Sequence, residues 1–95
     1  MSYEVRVTQD AARTLRRLPR PIRVLCWAEI KALACEPRPP GVGRLKGRLR
    51  AFWRIRMGDH RIAYRIDEAS KRVLVEWAGH RSRIYEELER KRTQG

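Results

Sequence analysis

Acidic residues are scarce in this chain. Only 11 Asp and Glu stand against 23 Lys and Arg, which leaves a formal net charge of +12 at pH 7. This imbalance predicts a polyanionic partner, with nucleic acid first, an acidic protein second and an anionic membrane third. Most of the cations are arginines, whose planar guanidinium can bind two phosphate oxygens at once.

The residues that form disulfides and metal sites are also few. Cys26 and Cys35 fall in one predicted helix, where a rise of roughly 1.5 Å per residue separates them by about 13 Å, too far for a disulfide. Two free thiols indicate a reducing cytoplasm. The two histidines and the scattered carboxylates suggest no ligand set, so we expect no metal and no other cofactor.

Long apolar runs are missing as well. None approaches the roughly 20 residues that span a bilayer, and the N-terminus lacks the basic-then-apolar pattern of a secretory signal. We therefore expect no membrane-spanning segment, and of the three candidate partners named above we do not expect the membrane. Hydrophobic residues still make up 42% of the chain, which is enough for a core. With no repeats and no linker, residues 1–95 should form one domain.

Hydrophobic periodicity divides the chain into five strands and three helices. We expect strands at residues 3–8, 44–49, 52–57, 60–66 and 72–78, and helices up to residue 18 and over residues 21–35 and 81–92. Residues 93–95 should fray. This order predicts an α+β fold with an N-terminal strand, a helical hairpin on one face of a mostly antiparallel sheet, and a short C-terminal helix.

The most informative stretch is a predicted β-hairpin at residues 52–66, FWRIRMGDHRIAYRI. Gly58 and Asp59 favour a two-residue turn, since Gly tolerates the positive φ that such turns need. Arg56 then faces Arg61 across the two strands. Facing like charges destabilise a sheet by up to about 1 kcal/mol, so this face is either a solvated outer surface or a cationic surface that holds a polyanion.

The two faces of the hairpin differ in character. One face should pack beneath the helices. Its apolar residues, Trp53, Ile55, Ile62, Tyr64 and Ile66, should meet four apolar residues of the helices: Leu15, Leu25, Ile30 and Leu33. The last strand should place Val73, Val75 and Trp77 on a single face. The other face of the hairpin should remain open and carry Phe52 with Arg54, Arg56 and Arg61.

Between Arg44 and Arg65, eight basic residues face a single acid, Asp59. Basic side chains with rings nearby suit single-stranded nucleic acid, because arginines bind phosphates and unstacked bases lie on the rings. The predicted RNA-binding residues are Arg44, Lys46, Arg48, Phe52 and His80. No Ser-His-Asp or Cys-His set is present. A nuclease could still work without metal if the RNA 2′-OH attacks the adjacent phosphate and arginines stabilise the charge that develops.

Four motifs carry a resemblance to a known family. They are VTQDAARTLRRLPRPIR at residues 7–23, RLKG at 44–47, WRIRMGDHRIAYRI at 53–66 and VLVEWAGHRSRIY at 73–85. This order resembles the RelE/ParE superfamily of bacterial toxins, and its RelE-type branch most. The resemblance implies the toxin of a type II toxin–antitoxin system. Such a toxin is a cytoplasmic endoribonuclease that cleaves mRNA on the ribosome without metal, and a cognate acidic antitoxin neutralises it.

Carried over by position, the family's catalytic residues fall on Arg54, Arg56, Arg61, Arg81 and Tyr85. The resemblance implies that the arginines hold phosphate and that Tyr85 stacks on a base. The best-studied members have lysines where this chain has Arg54 and Arg56, and one of those lysines is the proposed base. Because arginine stays protonated, the base is open here, with His80 or water as candidates.

Two other functions are compatible with the same fold. The ParE branch poisons DNA gyrase and lacks the basic catalytic set, so the retained arginines and Tyr85 argue against it. The third is a basic RNA- or ribosome-binding module without cleavage activity.

Overall fold

The structure, a computed structural model, describes residues 2–94 and consists of a five-stranded sheet with three helices. The strands are β1 (Glu4–Val7), β2 (Gly43–Arg44), β3 (Trp53–Met57), β4 (His60–Asp67) and β5 (Arg72–His80), and the helices are α1 (Gln9–Arg16), α2 (Arg20–Ala32) and α3 (Ile84–Gln94). The sheet order is β1-β5-β4-β3-β2; β1 runs parallel to β5, and all other pairs are antiparallel. The predicted α+β class is confirmed.

Local signals fix the helical hairpin. The side chain of Thr8 accepts a hydrogen bond of 3.1 Å from the backbone N–H of Ala11 and so caps α1. Pro21 lies in the first turn of α2, where its missing N–H leaves no helical bond unmade. The two helices lie on one face of the sheet, where Leu15, Ile30 and Leu33 join its apolar residues in the main core.

The β3–β4 hairpin has the predicted register. Ile55 pairs with Ile62, Trp53 with Tyr64 and Arg56 with Arg61, and Gly58 in the turn has a φ of 61°. This register was predictable because the turn residues and the alternation of side chains agree.

Leu25 does not belong to the apolar stripe of α2. Its side chain is 57% exposed, whereas Cys26 and Ile30 on the same helix are buried. Cys35 is exposed and lies beyond the end of α2, which stops three residues earlier than predicted, and both cysteines are free.

The second face of the sheet is only partly open, contrary to prediction. Ile84 and Leu88 of helix α3 cover part of it, and they form a second core, which the sequence did not predict, with Leu45, Leu49, Phe52, Ala63 and Trp77. Phe52 is 5% exposed and is therefore a core residue, not a ring presented to RNA. The buried ring needs apolar neighbours, and α3 supplies them.

Trp77 faces this second core because β5 contains a β-bulge. Tyr64 pairs with Val75 but Ala63 pairs with Trp77, which leaves Glu76 as an extra residue. The extra residue shifts the alternation of side chains by one position, so the residues after the bulge point to the opposite face of the sheet from the one that the alternation predicts. Trp77 therefore points away from Val73 and Val75, and the prediction that all three share a face is wrong.

Several other boundaries also differ from prediction: α1 ends at Arg16 and not at residue 18, and β5 continues to His80 and not only to residue 78. Only Gly43–Arg44 pair as β2, and residues 47–49 form a 3₁₀ turn that begins at Gly47 with a φ of 63°. At the other end, residues 81–83 form a 3₁₀ turn and α3 continues to Gln94. The predicted fraying of Gly95 concerns a residue outside the described range. No described helix is long and apolar enough to cross a membrane.

Candidate active site

A cleft of about 340 Å³ opens on the second face of the sheet, beside the start of α3. All five predicted catalytic residues line it, together with Ser82 and Ile84: Arg54, Arg56, Arg61, Arg81 and Tyr85. The structure thus brings together residues that the sequence separates by up to 31 positions, from 54 to 85.

Strand geometry places three of the arginines. Arg54 and Arg56 are two residues apart on β3 and share a face, while Arg61 on β4 lies directly opposite Arg56. Gly43 on β2 pairs with Arg54 and lets its guanidinium cross the strand, because a Cβ at residue 43 would come within 2.8 Å of Nη1 of Arg54. The supporting role of Gly43 was missed in the sequence, where its only signal was a Gly beside a basic strand.

Arg61 is held at the hairpin tip by its own backbone neighbours. Its Nη1 donates hydrogen bonds of 2.8 Å each to the carbonyl oxygens of Gly58 and His60. Partial burial, followed by the nearby charges of Arg56, Arg54 and Arg81, lowers the pKa of Arg61 below the usual guanidinium value. The cleft therefore concentrates positive charge that a phosphate group would relieve.

Arg81 enters the cleft from the 3₁₀ turn that follows β5. Its backbone N–H donates to the carbonyl of Asp59 at 2.8 Å, and its Nε lies 3.8 Å from Oδ1 of Asp59. Tyr85 lies one turn later, at the start of α3, and its side chain is 59% exposed. An exposed ring beside a cationic cleft can stack on an unpaired base.

The predicted RNA-binding residues do not gather in this cleft. Arg44 donates through Nε to the carbonyl of Arg50 at 2.6 Å and lies over the ring of Trp53 at 5.5 Å. Lys46 and Arg48 are exposed near the 3₁₀ turn of residues 47–49. Phe52 is buried beneath Arg65, whose guanidinium lies 5.7 Å from the ring centre.

His80 also lies outside the arginine cleft. It ends β5, and its Nδ1 accepts a hydrogen bond of 3.2 Å from the backbone N–H of Ser82, so it caps the 3₁₀ turn that carries Arg81. It lines a neighbouring depression with Arg17 and Arg83. Among the described residues that line the arginine cleft, none is a histidine or a carboxylate.

Within residues 2–94, no group of three or more His, Cys, Asp and Glu side chains is arranged to hold a metal ion. The arginine cleft itself offers cationic chemistry: four guanidinium groups that can bind phosphate and stabilise negative charge, and one ring that can stack on a base.

Known proteins resemble this chain over most of its length. A family model described as the ParE toxin of the type II toxin–antitoxin system parDE matches residues 5–85. A curated relative, Toxin RelE of Mycobacterium tuberculosis (strain ATCC 25618 / H37Rv), is 34% identical over 84 residues, which cover 87% of this chain and 86% of the relative.

Two solved structures share the fold. The RelBE2 toxin–antitoxin complex from Mycobacterium tuberculosis superposes with a TM-score of 0.75 at 30% identity, covering 85% of this chain and 100% of that one. The archaeal RelE–RelB complex from Pyrococcus horikoshii OT3 gives a TM-score of 0.73 at 25% identity, covering 87% and 99%. This chain therefore belongs to the RelE/ParE family of toxins from type II toxin–antitoxin systems.

Proposed function

We propose that this toxin is an endoribonuclease that cleaves ribosome-bound mRNA without a metal ion. One observation carries the proposal: Arg54, Arg56, Arg61 and Arg81 line one cleft together with the exposed ring of Tyr85. Four guanidinium groups suit a phosphodiester, and the ring suits the neighbouring base.

The proposed reaction uses a nucleophile that RNA supplies itself. The 2′-oxygen attacks the adjacent phosphorus, the bond from phosphorus to the 5′-oxygen breaks, and the products carry a 2′,3′-cyclic phosphate and a 5′-hydroxyl. Negative charge grows on the non-bridging oxygens during the attack. Arg61 and Arg81 would stabilise that charge, which is commonly the largest single contribution to catalysis.

Proton transfer in this proposal goes through solvent. The cleft presents no histidine or carboxylate among its described lining residues, and the Nδ1 of His80 is occupied as a cap outside the cleft. Water would take the proton of the 2′-OH and would return one to the departing 5′-oxygen. The protein's contribution is then to hold the phosphate in line and to stabilise charge.

Growth arrest in cells tests the target of the toxin. After induction of the chain in bacteria, pulse-labelling should show that methionine incorporation falls before thymidine incorporation, because translation stops first. A fall in thymidine incorporation first would contradict the proposal.

Gyrase poisoning is a second candidate, because the matching family model is described as a ParE toxin. The test is a supercoiling assay with purified gyrase at equimolar toxin. Uninhibited supercoiling is expected. Inhibition, together with intact mRNA on ribosomes, would favour this candidate, whereas ribosome binding with neither effect would favour a non-catalytic module.

We further propose a cytoplasmic location, and an acidic antitoxin as the partner. The antitoxin is supported by two structural relatives that are complexes of a RelE toxin with RelB. A net charge of +12 favours fast, salt-dependent association with an acidic chain. Association rates should fall steeply as salt is raised from low to high concentration, and rates indifferent to salt would count against electrostatic capture.

A further inference from the structure

The β3–β4 turn contacts two of the cleft arginines at once. Gly58 and His60 each accept a hydrogen bond of 2.8 Å from Nη1 of Arg61. Asp59 accepts a bond of 2.8 Å from the backbone N–H of Arg81 and places its Oδ1 3.8 Å from Nε of that residue. Three consecutive carbonyls and one carboxylate therefore face the two arginines.

We infer that Gly58 and Asp59 are positioning residues, and that the turn orients Arg61 and Arg81 toward the phosphate of bound RNA. The inference rests on the proposed ribonuclease function and gives the turn a role beyond the connection of two strands.

Repulsion among the four cleft arginines explains why their side chains need support from the turn. Arg54, Arg56, Arg61 and Arg81 line the same cleft, and a long, flexible guanidinium side chain surrounded by like charges tends to swing out into solvent. Holding a side chain in its reactive orientation before substrate binds removes an entropic cost from the reaction.

For Arg61, backbone carbonyls suit this task better than a carboxylate would. A carbonyl accepts a hydrogen bond from a guanidinium without cancelling its charge, so Arg61 remains fully cationic for phosphate. Its contacts with Gly58 and His60 both use Nη1. Among residues 2–94, no hydrogen-bond acceptor occupies Nη2 or Nε of Arg61, so these two groups remain available to a ligand.

Gly58 gives the turn its shape. Its φ of 61° lies in the left-handed region, which side chains with a Cβ disfavour. A Cβ built at Gly58 meets nothing within 4 Å, so an alanine there would act through backbone strain and not through a clash. Strain at residue 58 would move the carbonyls that hold Arg61 and Arg81.

A matched pair of glycine variants separates positioning from stability. Gly41, in the loop before β2, also has positive φ, 89°, and a Cβ placed on it would likewise meet nothing within 4 Å. Gly58→Ala and Gly41→Ala should lower the melting temperature to a similar degree. Only Gly58→Ala should lower kcat for cleavage of ribosome-bound mRNA, by about 10- to 100-fold, because small misplacements of catalytic groups carry costs of this size.

Gly58→Asn should recover part of that kcat, because asparagine tolerates the left-handed region better than alanine. Equal losses of kcat in Gly58→Ala and Gly41→Ala would overturn the inference, since the loss would then follow stability alone.

Asp59→Asn tests whether the carboxylate orients Arg81 or only screens the charge of the cleft. These two roles predict different changes in kcat and KM. If Asp59 orients Arg81, kcat should fall about 10-fold while KM does not rise, because the variant gains positive charge. If Asp59 only screens the cleft, its removal should lower KM and leave kcat unchanged or higher. The second result would overturn the role of Asp59.

Arginine side-chain relaxation measured by ¹⁵N NMR gives a readout that does not need cleavage. In the wild-type protein, Nε of Arg61 should be nearly as rigid as the backbone, and it should become mobile in Gly58→Ala but not in Gly41→Ala. A mobile Arg61 in the wild type would overturn positioning, whatever the activity. A rigid Arg61 in a protein that does not cleave would contradict the proposed function alone.

Discussion

Arg61→Ala is the most informative single substitution, because the structure predicts separate effects on activity and stability. Its guanidinium lines the cleft, faces Arg56 across the hairpin and donates two hydrogen bonds to turn carbonyls. Removal of one charge-stabilising donor from a transition state typically costs about 3 to 4 kcal/mol, so the cleavage rate should fall by roughly 10² to 10³.

The expected change in stability is small because two contributions oppose each other. Loss of two hydrogen bonds at a partly exposed site costs about 1 kcal/mol each. Relief of the repulsion with Arg56 returns up to about 1 kcal/mol. The net loss of about 1 kcal/mol corresponds to a decrease in melting temperature of roughly 5 °C for a domain of this size.

Thermal melting and cleavage of mRNA on purified ribosomes measure the two effects. Arg6→Ala is the matched control: Arg6 lies exposed on β1, is paired with Glu4, and its removal changes the net charge by the same amount. The control should retain activity. A melting temperature reduced by more than about 15 °C would make Arg61 structural. Full activity of Arg61→Ala with an unchanged melting temperature would show that the facing pair of Arg56 and Arg61 has no role in cleavage.

Three further predictions address the rest of the molecule. Tyr85→Ala should leave the melt unchanged, because the ring is 59% exposed, and should weaken RNA binding by about 1 to 3 kcal/mol in a binding titration; unchanged affinity would exclude base stacking. Leu88→Ala should cost about 2 to 5 kcal/mol of unfolding free energy in a urea titration, and Leu25→Ala less than about 0.5, because the first side chain is buried and the second exposed. Similar losses would contradict the burial of Leu88 in the second core. Hydrogen bonds from Lys91 and then Arg13 lower the pKa of Asp10 to about 2, so Asp10 stabilises the fold above its unfolded pKa near 4 and loses this effect as the pH falls to 2. Asp10→Asn should therefore reduce the melting temperature at neutral pH but not near pH 2. An equal reduction at both pH values would refute a stabilising ion pair between Asp10 on α1 and Lys91 on α3.

The sequence predicted the hairpin register because every relevant signal was local. Gly58 and Asp59 set the turn, and the alternation from Trp53 to Met57 set the faces, so the pairing of Arg56 with Arg61 followed without knowledge of the rest of the chain. The cleft residues were predictable for a second reason: motif positions identified Arg81 and Tyr85, which local patterns alone could not place beside β3.

The second core was not predictable from alternation. A single extra residue, Glu76, reverses the facing of Trp77, and nothing in the local pattern marks the bulge. Phe52 is buried in the same cluster as Leu88, which is 36 positions later in the chain. Contacts between segments so far apart are decided by the packing of α3, whose short amphipathic pattern does not indicate which face of the sheet it covers.

Cleavage of a defined mRNA on purified ribosomes, with analysis of the fragment ends, is the decisive test of the proposed reaction. The toxin is first dialysed against EDTA, and the only divalent ion in the assay is the Mg²⁺ that keeps the ribosomes intact. We expect that the upstream fragment ends in a 2′,3′-cyclic phosphate, that the downstream fragment begins with a 5′-hydroxyl, and that a single 2′-deoxynucleotide on the 5′ side of the scissile phosphate abolishes the cut. Arg61→Ala should cleave at least about 100-fold more slowly. The proposed reaction would be refuted by an intact message, by fragments with 5′-phosphate ends, or by unimpaired cutting at the 2′-deoxynucleotide.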